Sequence, residues 1–407
     1  MDDIMVSVIC ITYNHESLIE DAIKGVLKQK TNFKVEMIIH DDASTDSTVE
    51  VIKRYQQKYP EIIVPIYQKE NQLSKEVPIL PQFMFPLVRG KYIAFCEGDD
   101  YWTDELKLQK QIDFLESHED FTMSLHNAVK LNCKTGDEKI LDTFPSSGCY
   151  SQEEQIKSGL CSDFPAAASY VMRTNILKQM PPCFWDAAVG DYPMRQWCAV
   201  CGKVYYFADV MSVYRVFTAG SFMTNIAVNQ KAYARYTIRM IKFYSMLNEY
   251  TNRKFESLLK KKIASDCYGY CISVPKEEGM NQALQYGIDL YNLDRYYSYT
   301  DENYIAQEIN EIKLSSDEMF IYGTSRLASI CVKQLKKKQI EFGGFVVSDS
   351  QMKLDEFENK PVYYLSELKK KFVDPGIILA VQPINQDIII NNLKKFDLNN
   401  YCIPYIE

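Results

Sequence analysis

Three carboxylates fall within four positions at Glu97-Gly98-Asp99-Asp100, directly after the apolar run Tyr92-Ile93-Ala94-Phe95-Cys96. Two like charges about 4 Å apart repel by roughly 4 kcal/mol at an effective dielectric near 20. A chain that gathers them at one strand end calls for a cation, or for at least one carboxyl that stays protonated. The plainer alternative is a solvated acidic turn that caps a helix beginning near Thr103. Two further polar clusters follow apolar runs in the same way: Thr12-Tyr13-Asn14-His15 after 5–11, and Asp41-Asp42 with Asp46 after 35–40. Another acid, Asp191, stands in Gly190-Asp191-Tyr192-Pro193-Met194, where an N-cap with proline in the first helical turn is the structural alternative.

The elements that must position these residues read as alternating strands and helices. After the run at 5–11, apolar residues recur at Ile19, Ala22, Ile23, Val26 and Leu27, the spacing of one helical face. Strands are expected at 35–40, 62–67 and 91–96, and Ser44 or Asp46 is expected to cap a helix carrying Val49, Ile52 and Tyr55. Such alternation predicts an α/β fold with a mostly parallel sheet covered on both faces. Ligands of such sheets bind beyond the carboxyl ends of the strands, where all three polar clusters lie.

The expected organisation is a catalytic domain over 1–220, a helical connector over 221–316 and a small Rossmann-like α/β domain over 317–407. In the last, strands at 319–322, 342–348 and 376–381 are separated by helical spacing. Of a Gly-x-Gly-x-x-Gly fingerprint only Gly323 remains, with Ser325 and Ala328 at the other places, although Asp349 ends the second strand. A docking or dimerising role is expected of this domain ahead of cofactor binding, so a homodimer is compatible with the chain.

Composition sets bounds on all this. The 407 residues are 46% apolar and 25% charged, which supports folded domains, and a net charge of −8 argues against a nucleic-acid partner. The twelve cysteines are scattered, several inside apolar runs, as in a reduced cytoplasmic protein. Cys198-Ala199-Val200-Cys201 has half of a zinc spacing, but no histidine follows His126, and no zinc is expected. No apolar stretch reaches the roughly 20 residues that span a bilayer, and the acidic start Met1-Asp2-Asp3 is unlike a secretion signal. The expected location is cytoplasmic, with peripheral association at the inner face of the membrane compatible with this chain.

At Ser7-Val8-Ile9-Cys10-Ile11-Thr12-Tyr13-Asn14, Ile39-His40-Asp41-Asp42-Ala43-Ser44-Thr45-Asp46-Ser47-Thr48 and Tyr92 to Asp100, the chain resembles the inverting family-2 glycosyltransferases of GT-A fold. The resemblance covers about residues 5–220 and rests on several motifs in order. It implies a sugar transferase acting from a UDP- or dTDP-sugar onto a glycan or lipid-linked acceptor, as in bacterial surface polysaccharide synthesis. It also implies Thr12, Tyr13, Asn14, Asp41 and Asp99 as donor-nucleotide contacts, with Asp41 accepting the imide N–H of uracil or thymine. Asp100, with Asp99 and Glu97, would hold Mg2+ or Mn2+, and Asp191 would be the base that deprotonates the acceptor. Ser169, Arg173 and Arg215 are the weaker expectations for the acceptor or diphosphate side. Where many relatives continue Tyr-Arg with a residue and a histidine, this chain has Tyr214-Arg215-Val216-Phe217.

Overall fold

In the computed structural model, residues 4–403 are described apart from 161–163, 219–220, 222–225, 227–228, 289, 300–306, 350, 352 and 382. The chain divides into two compact units, Met1–Phe255 and Glu256–Glu407, and the division falls inside the 221–316 stretch read as helical. Among the described residues no helix is long and apolar enough to cross a membrane.

The first unit is built on four largely buried strands: β1 (Ile4–Thr12), β2 (Lys34–Asp41), β3 (Ile63–Tyr67) and β4 (Tyr92–Phe95). They pair in parallel in the order β3-β2-β1-β4. Parallel pairing needs a crossover, and helices α1 (Ile19–Leu27) and α2 (Thr48–Lys58) supply the first two. Helix α1 buries Ile19, Ala22, Ile23 and Val26 against Val8 and Cys10 of β1 and Met37 and Ile39 of β2. Each isoleucine, valine or methionine so buried contributes about 1.5–3 kcal/mol. Gly25 lets the helix come close: a β-carbon there would stand 3.0 Å from the main-chain nitrogen of Trp102.

Beyond β4 the sheet departs from the mostly parallel expectation. Strand β5 (Tyr101–Trp102) leads to helix α3 (Lys107–Ser117) and then to β6 (Phe121–Asn132), β7 (Glu138–Ile140) and β8 (Gly148–Tyr150). Helix α4 (Gln152–Leu160), strand β9 (Val171–Arg173), helices α5 (Thr174–Leu177) and α6 (Asp191–Cys201), strand β10 (Lys203–Val216) and helix α7 (Gln230–Tyr250) follow. The order is β3-β2-β1-β4-β9-β6-β10-β5, and β9 runs antiparallel to both of its neighbours. The 14-residue β10 has register shifts near Phe207, Val210 and Ser212, which let one strand pair in turn with β8, β6 and β5. Its far end therefore meets the segment that follows β4.

The second unit opens with helices α8 (Glu256–Cys271), α9 (Lys276–Tyr286), α10 (Leu290–Tyr299) and α11 (Gln307–Ser315). Its sheet comprises β11 (Glu318–Tyr322), β12 (Gly344–Val347), β13 (Glu356–Phe357), β14 (Lys360–Tyr364), β15 (Pro375–Leu379) and β16 (Tyr401–Cys402), in the order β13-β14-β12-β11-β15-β16. All pairs are parallel except β13 with β14. Helices α12 (Arg326–Lys337), α13 (Leu365–Lys371) and α14 (Pro383–Lys395) join the strands. Asp349 accepts a hydrogen bond at 3.2 Å from the amide of Ser366 in the first turn of α13.

At the amino end of the first sheet, buried Glu36 accepts from Ser7 Oγ at 2.6 Å, from the Arg89 amide at 3.1 Å and from Arg89 Nε at 2.7 Å. Ser7 Oγ in turn accepts from the Gly90 amide, so β1, β2 and the approach to β4 are joined through one carboxylate. Replacing it with a neutral amide weakens charge-assisted bonds. The expected result for Glu36→Gln is a loss of roughly 1.5–3 kcal/mol in urea unfolding, with the slope unchanged.

Candidate active site

The three polar clusters converge because their strands are neighbours. In register, Thr12 pairs with Asp41 and Asp41 with Tyr67, while β4 lies on the other side of β1. The Asp42 amide donates to Thr12 O at 2.9 Å and the Gly98 amide to Ile11 O at 2.9 Å, so both acidic segments hang from the end of β1. Gly98 is needed for this approach: a β-carbon would sit 2.5 Å from Thr12 Oγ1 and 2.9 Å from His15 Nδ1. Thr12 Oγ1 and His15 Nδ1 are themselves 3.1 Å apart.

The acidic turn is not a helix cap. Helix α3 begins at Lys107, and it is Asp104 that accepts from the Leu106 amide at 2.8 Å. Glu97, Asp99 and Asp100 instead bring one carboxylate oxygen each within 4.8 Å of one another. Asp100 is buried; its Oδ1 accepts from the Arg215 amide at 2.9 Å, and its Oδ2 has no hydrogen-bond partner among the described residues. Asp99 Oδ2 accepts from Thr218 Oγ1 at 3.1 Å. Burial, then the charge of Asp99 and of Glu97, raises the Asp100 carboxyl well above the usual range. Burial, then the field of Asp191 and of Asp99, does the same to Glu97. Asp191, the first residue of α6, is likewise raised by burial, and its field at Glu97 places it at this cluster. An all-oxygen set with one buried oxygen unpaired has the donor chemistry that hard divalent cations take.

Asp41 is buried at the end of β2, with Oδ2 accepting from the Ser44 amide at 3.0 Å and Oδ1 unpaired among the described residues. Burial raises its pKa in spite of the Ser44 hydrogen bonds. Tyr13 and Tyr67 are partly exposed near this end of the sheet, and the Tyr67 phenol is pushed up to about 12 by burial and by Asp41. Asn14 adopts a left-handed φ of 55°, and its Oδ1 accepts from the Thr45 amide at 2.8 Å. Its side chain thus fastens the 44–45 turn. Asp46 rather than Ser44 serves the start of α2, accepting from the Thr48 amide at 3.0 Å, whereas Ser44 Oγ accepts from the Asn14 amide. Asp42 accepts from the amides of Gln72 and Leu73 at 2.7 and 3.0 Å and anchors that loop.

One expected position lies elsewhere, and another is spent on a turn. Arg173 pairs with Tyr92, the first residue of β4, at the opposite end of that strand from the acidic turn. Its guanidinium is occupied by the carbonyls of Phe121, Leu115 and His118 and by the Tyr92 hydroxyl. The antiparallel course of β9 is the reason. Ser169 is buried, with Oγ donating to Ala166 O at 2.7 Å, and it shapes a turn. Arg215 does reach the cluster, donating from Nη1 to Asp99 O at 3.2 Å.

Residues not singled out from sequence join the site. Burial lowers the His15 pKa, while Asp99, Asp46 and Asp41 pull it upward, which places the ring between the two acidic segments. The Tyr214 phenol is raised by burial and by the fields of Asp100, Glu97, Asp99 and Asp191 together. Its position beside Arg215 was the available signal.

Residues 7–139 match the family model described as Glycosyl transferase family 2. An uncharacterized protein of Mycobacterium tuberculosis is 32% identical over 215 residues, 51% of this chain and 58% of that protein. An Escherichia coli protein named UDP-Glc:alpha-D-GlcNAc-diphosphoundecaprenol beta-1,3-glucosyltransferase is 32% identical over 117 residues, 29% of this chain and 43% of that one. The chain thus spans little more than half the length of the former relative and less than half of the latter. Staphylococcus aureus TarS, solved in complex with UDP-GlcNAc, gives a TM-score of 0.46 at 16% identity over 72% of this chain and 91% of that one. The fold is α/β, with a GT-A-type sheet in the first unit and an additional α/β unit with its own sheet at the C-terminus.

Carboxyl groups raised by burial bind protons more readily in the folded than in the unfolded chain. The stability they lend is full below the unfolded pKa near 4 and is lost as pH rises through the folded values. In metal-free protein, Asp100→Asn is therefore expected to raise the thermal midpoint at about pH 8 and to change it less at about pH 5. Each kcal/mol recovered corresponds to roughly 2–4 °C in a domain of this size. A lower midpoint for the variant at the higher pH would contradict the assignment of Asp100 as an uncompensated buried acid.

Proposed function

We propose that this chain is an inverting glycosyltransferase that moves a sugar from a UDP- or dTDP-sugar onto a glycan or lipid-linked acceptor in bacterial surface polysaccharide or glycoconjugate synthesis. The carrying observation is the meeting of Glu97, Asp99 and Asp100 at one strand end, with the field of Asp191 acting on Glu97. The family match over 7–139 supports the reaction class, and the diphosphoundecaprenol-linked acceptor of the Escherichia coli relative supports the acceptor class. Action is at the inner, cytoplasmic face of the membrane, where a lipid-linked acceptor is presented.

In this reading Asp41 Oδ1 accepts the imide N–H of the base, a proton that neutral cytosine lacks. Thr12, Tyr13 and Asn14 form the turn against which the nucleoside rests, Asn14 through its left-handed backbone. Mg2+ or Mn2+ held by Asp100, Asp99 and Glu97 would supply the positive charge that a departing diphosphate requires. Asp99 also faces the ribose. Asp191 takes the acceptor hydroxyl proton as oxygen attacks the anomeric carbon, and a carboxyl raised by burial is a stronger base for that step than a solvated one. The C-terminal unit, Rossmann-like in its strand order, serves docking or dimerisation.

Thermal unfolding with UDP, dTDP and their sugars, with and without Mn2+, reads both base and metal preference, since stabilisation grows as RT ln(1 + [L]/Kd). Asp191→Asn is expected to lower transfer by roughly 10²–10⁴-fold while nucleotide binding is kept. A sugar-nucleotide-binding scaffold would bind without transferring, and equal transfer by wild type and Asp191→Asn would remove Asp191 as the base.

A further inference from the structure

Arg215 has its guanidinium held on three sides. Nη2 donates to Asp21 Oδ2 at 2.6 Å, Nη1 donates to Asp99 O at 3.2 Å, and the guanidinium carbon lies 4.4 Å from the centre of the Tyr101 ring. The main-chain amide of the same residue donates to Asp100 Oδ1. Among the described residues Arg215 is thus the cation that touches the acidic turn, and Asp21 sets where that cation points. The Arg215 side chain is 11% exposed and that of Asp21 is 46% exposed. A half-exposed ion pair contributes little to global stability. Its geometric effect is larger, because the planar fork leaves little freedom once two edges and one face are engaged. Asp21 itself is fixed in the first turn of α1, where the helix dipole favours a carboxylate.

We propose that Asp21 is a positioning residue for the acidic turn: through Arg215 it holds the backbone of Asp99 and the carboxylate of Asp100 in a metal-ready arrangement before any metal or donor arrives. This role rests on the reading of 97–100 as the metal and diphosphate station. It also gives a use to the departure at Phe217. That residue is 43% exposed with a left-handed φ of 61°, and Thr218 beyond it donates to Asp99. The end of β10 therefore reaches the turn through Arg215 and Thr218, in a chain with no histidine at 217.

The test uses the full chain as wild type, Asp21→Ala, Asp21→Asn and Asp21→Glu. Amide hydrogen exchange of the peptides covering 97–101 in metal-free protein reads the clamp without reference to activity. Free Mn2+, measured by electron paramagnetic resonance in the presence of UDP, reads metal affinity. Asp21→Ala and Asp21→Asn are expected to speed exchange at 97–101 and to weaken Mn2+ binding by roughly 10–100-fold, with the unfolding midpoint nearly unchanged. Asp21→Glu is expected to recover part of both effects. Unchanged exchange and unchanged Mn2+ affinity in Asp21→Ala would overturn the proposal. Faster exchange in a protein whose wild type binds no Mn2+ with UDP would support the clamp and overturn the metal reading of the turn instead.

Discussion

The crowding of three carboxylates, one of them buried, is the constraint on which the first unit depends. Glu97, Asp99 and Asp100 are drawn together at the end of a fully buried strand, and among the described residues nothing pairs with Asp100 Oδ2 in that setting. Such an arrangement is retained only if the surrounding structure forces it. Here the forcing comes from the apolar β1 and its neighbours, whose side chains fix the strand ends to within hydrogen-bonding distance of one another. The second support is long-range: β10 returns to the turn after more than a hundred residues and hands it an amide and a guanidinium.

Much of this could be read from the chain itself, for a physical reason. A buried parallel strand is an unbroken apolar run, and the polar residues that follow it must lie at its carboxyl end. That rule located Thr12, Asp41 and 97–100 without any knowledge of tertiary contacts. Arg173, expected near the site from the resemblance alone, lies outside the reach of that rule. The segment before it is as apolar as the others, but β9 is antiparallel, so the end of the run faces the other side of the sheet. Strand direction is decided by the connections, and a three-residue strand carries no signal of it.

Contacts between distant segments were equally invisible. Asp21 and Arg215 are separated by 194 positions, and nothing in either local pattern pairs them. The helix start shows the converse: the acid that serves it is Asp104, four to seven positions after the acidic turn that offered the alternative cap. In the C-terminal unit the strands fell where the apolar runs are, whereas Asp349, whose spacing suits a ribose contact, is spent on the amide of Ser366.

Helix α1 carries Asp21 on one turn and Gly25 on the next, and at Gly25 the helix backbone rests directly on that of Trp102. Trp102 is itself pinned by its indole N–H to Ala168 O at 2.9 Å. Helix, short strand and acidic turn are thus coupled as one stiff body, with no side chain between them to act as a cushion. The aim of a guanidinium is then governed by the absence of a single methyl group four residues along the helix. A neutral-looking glycine, packed on the residue two places after the last carboxylate, sets the mechanical tolerance of the whole cluster.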